Sequence, residues 1–116
     1  MISKDLLKGS LKSIVLKLLA ENNRMYGYEI QQKVADISDG KIKLTYGALY
    51  PVLHKLEKNG SVMTETEVVN NRTRVYYELT PEGKTIAEEK IEELKEFVEM
   101  IKILLKPNYG LNYVFE

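Results

Sequence analysis

Across residues 62–79 the side chains alternate in polarity with a period of two, while the segments on either side repeat at helical spacing. A two-stranded ribbon is marginal alone in water, so this segment must lie against the helices that flank it. Asn70-Asn71 suits the two central positions of a tight hairpin turn, both of which need positive φ. That turn pairs Val69 with Arg72 and Glu67 with Arg74. It also sets Val62 opposite Leu79, Thr64 opposite Tyr77 and Thr66 opposite Val75, which predicts one buried face.

Upstream, Leu7, Leu11, Ile14, Val15, Leu18 and Leu19 predict one amphipathic helix from about residue 5 to 22. Leu6 and Leu16 lie off its main stripe, and a helix apolar beyond one face usually touches two neighbours. Gly27, Ile30, Val34 and Ile37 predict a second helix, closed by Ser38-Asp39-Gly40. A third runs from Thr45, its N-cap, to Asn59-Gly60, with Leu49, Val52, Leu53 and Leu56 facing inward. Pro51 inside it loses a hydrogen bond and crowds the carbonyl of Gly47, which predicts a kink or an irregular first turn.

After the hairpin, Thr80 as N-cap, Pro81 at the first helical position and Glu82 in the first turn open a helix reaching about Leu105. Along it Ala87, Ile91, Leu94, Val98, Ile101 and Leu105 repeat at alternating spacings of four and three, an a/d seam. The expected fold is mainly α with a small β-hairpin. It is a winged helix-turn-helix over residues 1–80, followed by a C-terminal dimerisation helix and tail over 81–116.

Composition removes several functions. The 116 residues suit one domain, and no apolar run approaches the ~20 residues that span a bilayer. Charges interrupt the first residues, so no signal peptide is expected and the chain is expected in the cytoplasm, away from membranes. There is no cysteine and a single histidine, His54, which leaves little for a metal site or a His-based catalytic centre. Glu88-Glu89 and Glu92-Glu93 lie on the charged faces of a helix with no pocket partners, so neither an enzyme nor a cofactor is expected.

Net charge is zero, but residues 1–80 carry 12 basic against 9 acidic side chains and residues 81–116 carry 5 against 8. The basic excess falls where a binding surface can be assembled. Opposite the inward face of the third helix lie Gly47, Pro51, His54 and Lys58, flanked by Tyr50 and Lys55 and preceded by Thr45 and Tyr46. Small residues near the start of a helix let it approach a major groove, where Tyr, His and Lys reach phosphates or base edges. At the hairpin tip Arg72 and Arg74 offer guanidinium groups to DNA phosphates or the minor groove, although Arg74 can instead pair with Glu67 across the strands.

A helix of about 25 residues is ~37 Å long, more than an 80-residue domain can cover. The seam Ala87, Ile91, Leu94, Val98, Ile101 and Leu105 is therefore expected to close against a second copy. The partner's first helix would join it, which accounts for Leu6 and Leu16. Two third helices would then meet successive major grooves ~34 Å apart. The segment Tyr109-Gly110-Leu111-Asn112-Tyr113-Val114-Phe115 is expected to pack on that dimer core, with lining an aromatic ligand cavity as the alternative.

Several blocks occur together in order and spacing: Leu7-Lys8-Gly9-Ser10-Leu11, Tyr26-Gly27-Tyr28-Glu29-Ile30, the stretch Gly47 to Glu57, Gly60, and Tyr76-Tyr77-Glu78-Leu79-Thr80-Pro81-Glu82-Gly83. In these blocks, which cover most of residues 7–84, the chain resembles the PadR family of bacterial transcriptional regulators, in its compact subgroup with one C-terminal helix. The resemblance implies a homodimeric repressor on double-stranded operator DNA with an inverted repeat, often released by a small aromatic or drug-like effector. Ser61 departs from the family pattern, which usually has a larger apolar residue there. The chain also has no Trp, so a pocket built on indole stacking is not expected. The alternative function is a winged-helix adaptor that binds proteins and not DNA.

Overall fold

The computed structural model describes residues 2–107. The aromatic segment from Tyr109 to Phe115 lies outside the described residues. In order the elements are α1 (Lys4–Lys8), α2 (Leu11–Glu21), β1 (Met25–Tyr26), α3 (Gly27–Ile37), α4 (Tyr46–Lys58), β2 (Val62–Val69), β3 (Arg72–Leu79) and α5 (Pro81–Leu104).

The first helix expected over residues 5–22 is two helices. Gly9 and Ser10 interrupt it, where the Ser10 N–H and hydroxyl both donate to the Leu7 carbonyl, at 3.0 and 3.2 Å. The apolar spacing runs through the break, so periodicity alone does not show it. The other helix boundaries follow the caps. Thr45 Oγ1 accepts from the Ala48 N–H at 3.1 Å, and Thr80 Oγ1 accepts from the Gly83 N–H at 2.9 Å. Helix α4 continues unbroken through Pro51, which stands on its exposed face together with Gly47.

The hairpin has the register expected of its turn, from Val62 against Leu79 to Val69 against Arg72. Asn70 and Asn71 take φ of 52° and 63°, as the turn requires. The expected continuous buried face holds only at the base. Val62, Leu79 and Tyr77 are buried, whereas Val75 and Val68 are exposed because the ribbon projects beyond the helices. A further strand, β1, lies along β3, with Met25 opposite Tyr77 and Tyr26 opposite Tyr76, so the sheet has the order β1-β3-β2. Two residues are too few to carry a periodicity signal.

Leu11, Val15, Leu18 and Leu19 of α2 meet Ile30 and Val34 of α3 and Leu49, Leu53 and Leu56 of α4 in one core, closed by Val62, Leu79 and Ala87. Leu16 belongs to it and is 0% exposed, so its expected place at a partner's surface is corrected: its own domain already covers it. Leu6, by contrast, is 76% exposed on α1. The seam of α5 divides in the same way. Its first half packs along α2, with Ala87 buried and Ile91 and Leu94 half-buried. Beyond that, Val98 is 43% exposed and Leu105 is 77% exposed.

One joint ties α4, the hairpin and α5 together. Gly60 turns with φ of 81°, and Ser61 is fully buried with its hydroxyl donating to Asn59 Oδ1 at 2.7 Å. Burial of this serine is thereby satisfied without the larger apolar residue that the family usually places there. Thr80 donates through its N–H to the Ser61 carbonyl and through its hydroxyl to the Gly60 carbonyl, at 3.0 and 2.6 Å. Gly83 lies directly on the Ser61 carbonyl: a Cβ there would stand 2.8 Å from its carbon and closer still to its oxygen.

Candidate nucleic-acid interface

Helix α4 presents Tyr46, Gly47, Tyr50, Pro51, His54, Lys55 and Lys58 to solvent, and its cap Thr45 is exposed beside them. Leu49, Leu53 and Leu56 anchor the opposite face, which fixes the outward direction of this stripe. Tyr46, Tyr50 and His54 recur every four residues and stack along the helix. Their ring centroids are 5.3 Å apart for Tyr46 and Tyr50, and 6.0 Å apart for Tyr50 and His54. The stacking orders three otherwise mobile rings at a modest gain each.

Between the start of α4, the start of α3 and the wing lies a groove of about 570 Å³. Tyr26, Tyr28, Tyr46 and Tyr50 line it, and Arg72 and Arg74 border it. Of the sequence-predicted residues, Tyr46, Tyr50, Arg72 and Arg74 share this groove. Thr45, Gly47 and Pro51 border a separate groove with Lys4, Lys8 and Lys43, and His54, Lys55 and Lys58 line neither. Burial in the wall of this groove pushes the Tyr77 hydroxyl above its ordinary pKa, so it stays neutral at physiological pH. Among the described residues none of Lys55, Lys58, Arg72 and Arg74 is paired with a carboxylate. Four uncompensated cations beside an exposed helix form an anion-seeking surface on a chain of zero net charge.

The expected alternative for Arg74 was an ion pair with Glu67, its neighbour across the strands. Arg24 takes that carboxylate instead. From the residue before β1 its guanidinium crosses the ring of Tyr76 on β3, with Cζ 3.9 Å from the centroid. It then reaches β2, bonding Glu65 at 3.0 Å and Glu67 as well. The bond to Glu67 raises the Arg24 pKa further above its ordinary value, so the group is permanently charged. Arg74 lies over the ring of Tyr26, 4.4 Å from the centroid, and Tyr26 meets Tyr76 edge-on at 5.4 Å. No local signal in the sequence announces Arg24, because its partners are some forty residues away and are reached only across β3.

The second half of α5 borders another concave region. Ile14, Leu18, Val34, Ile37, Ile42, Leu94 and Val98 line an apolar groove of about 540 Å³ between α2, α3 and α5.

The model of the PadR-like family of transcriptional regulators matches residues 15–89. The chain belongs to that family. It is a PadR-like DNA-binding transcriptional regulator with the winged-helix fold. A solved transcriptional regulator from Clostridium thermocellum superposes with a TM-score of 0.79 at 32% identity, over 91% of this chain and all of that one. A PadR family regulator from Eggerthella lenta gives 0.74 at 29% identity, over 90% of this chain and 88% of that one. In sequence, the transcriptional regulator Rv3488 of Mycobacterium tuberculosis is 34% identical over 66% of this chain and 69% of its own length. No helix among the described residues is long and apolar enough to cross a membrane.

Proposed function

We propose that this PadR-like protein is a homodimeric repressor that binds an inverted-repeat operator in the cytoplasm and performs no enzymatic step. The observation that carries the reading is the set of unpaired cations Lys55, Lys58, Arg72 and Arg74 flanking the exposed stripe of α4. In this reading Gly47 and Pro51 let α4 approach the major groove, Thr45, Tyr46, Tyr50 and His54 reach phosphates or base edges, and the wing arginines hold adjacent backbone. Leu6, Ile91, Leu94, Val98, Ile101 and Leu105 close against the second copy. Support for the dimer comes from Phe97, Val98, Met100, Ile103, Leu104 and Leu105, apolar residues left exposed on a helix that one domain cannot cover. A small aromatic or drug-like effector would occupy the apolar groove between α2, α3 and α5, where it shifts α5 and hence the spacing of the two α4 helices.

The full chain is tested against a random pool of duplexes, with the selected sequence read for symmetry. Binding should fall steeply with salt, because phosphate contacts release counterions. Light scattering at micromolar concentration should give a dimer. Selection of no duplex at low salt, or a clean monomer, overturns the proposal.

A further inference from the structure

Arg24 lies on the side of the sheet that carries Glu65, Glu67, Arg74, Tyr76 and Tyr26, with Arg72 and Glu78 at the two ends of the same face. The strand register puts Glu67 opposite Arg74, the arrangement in which cross-strand neighbours normally pair. That pair does not form, because both carboxylates are bound to Arg24. Sandwiched against Tyr76, Arg24 is already ordered, so holding Glu65 and Glu67 costs it little further entropy. Arg74, thus displaced, rests on the π-face of Tyr26 and bonds the Tyr76 hydroxyl, which raises its pKa above the ordinary value and leaves the other N–H donors of its fork available.

We infer that Arg24 is a positioning residue for DNA binding: by sequestering Glu67 it keeps Arg74 free to donate to a backbone phosphate. The inference rests on the DNA-binding reading above, in which Arg74 is a contact. Arg24 itself need not touch DNA. Without it, Glu67 turns to Arg74 across the strands, neutralises it and sets a carboxylate beside the phosphate path. The same residue pins the hairpin to β1, but that structural role does not depend on which acid it holds.

The test is a double-mutant cycle on the full chain, with a duplex selected by the unaltered protein and affinities measured from about 50 to 200 mM salt. Arg74→Ala establishes the contact and should weaken binding by about threefold to tenfold and lower the salt slope by about one. Arg24→Ala should produce the same loss of affinity and slope. Adding Glu67→Gln to Arg24→Ala should restore both, whereas Glu67→Gln alone should change binding by less than about twofold. That difference separates release of Arg74 from general removal of a negative charge. Arg24→Lys, which can hold one carboxylate at a time, should fall between, and it carries the cycle if Arg24→Ala does not fold. Unchanged binding by Arg24→Ala, or a loss that Glu67→Gln does not reverse, overturns the inference while leaving the contact at Arg74 intact. Unchanged binding by Arg74→Ala refutes the contact itself and the inference with it.

Discussion

Replacing Gly83 by alanine sets two physical effects of opposite sign against each other. Inside an exposed helix, glycine to alanine stabilises by about 1 kcal/mol, because the unfolded chain loses backbone freedom. Gly83, however, is pressed on the Ser61 carbonyl, and the new methyl would lie 2.8 Å from that carbonyl carbon. The obstacle is backbone, itself tied by the Thr80 N–H at 3.0 Å, so no side chain can swing aside. Either α5 lifts from the joint or the start of β2 shifts, and overpacking of this kind costs about 1–3 kcal/mol or more. Set against the gain, this leaves a net destabilisation of up to about 2 kcal/mol, so Tm falls by up to roughly 15 °C at a rate of about 4–8 °C per kcal/mol. Thermal unfolding followed by circular dichroism at fixed protein concentration measures it. Gly9→Ala is the internal control, since nothing lies within 4 Å of a Cβ there and its φ of −70° suits alanine. That variant should melt at or above the parent. A Gly83→Ala protein that melts as high as Gly9→Ala would refute the close-approach argument.

Other substitutions probe the site and its supports. Gly47→Ala also meets open space, so it should stabilise α4 by up to about 1 kcal/mol yet weaken DNA binding, read by melting and titration on one preparation. Arg72→Ala should leave Tm unchanged and reduce the salt slope of DNA binding by about one. Asn71→Gly keeps the positive φ and should be neutral or slightly stabilising, whereas Asn71→Val should cost at least about 1 kcal/mol in denaturant unfolding. The Tyr77 pKa is raised on folding, so its contribution to stability is complete below about pH 10 and is lost as pH climbs through the folded value. Tyr77→Phe should flatten that part of the alkaline melting profile.

What could be read from the sequence depended on how local its cause was. The hairpin register follows from Asn70-Asn71 and from side-chain alternation, and the starts of α4 and α5 follow from Thr45 and Thr80, each acting within three residues. The outward stripe of α4 follows from helical geometry once Leu49, Leu53 and Leu56 are set inward. The break at Gly9-Ser10 was hidden because leucines keep their spacing across it. Leu16 looked surplus on a wheel drawn for a single stripe, but α2 is surrounded by other elements and buries it. Arg24 was invisible for the opposite reason. Its role requires β1 to lie beside β3, and β1 is specified by packing and pairing, not by any pattern of its own.

The knot of Gly60, Ser61, Thr80 and Gly83 has a consequence for how such a regulator can diversify. Both ends of the hairpin, at Val62 and Leu79, are gathered at this knot, where α4 ends and α5 begins. The reach of the wing is thus geometrically independent of the relation between α4 and α5. In the proposed dimer, lengthening β2 and β3 by matched pairs around Asn70-Asn71 would carry Arg72 further along the duplex without altering the separation of the two α4 helices. On that proposal, operator spacing and flanking contacts would change by separate mutational routes, one through α5 and the other through the turn.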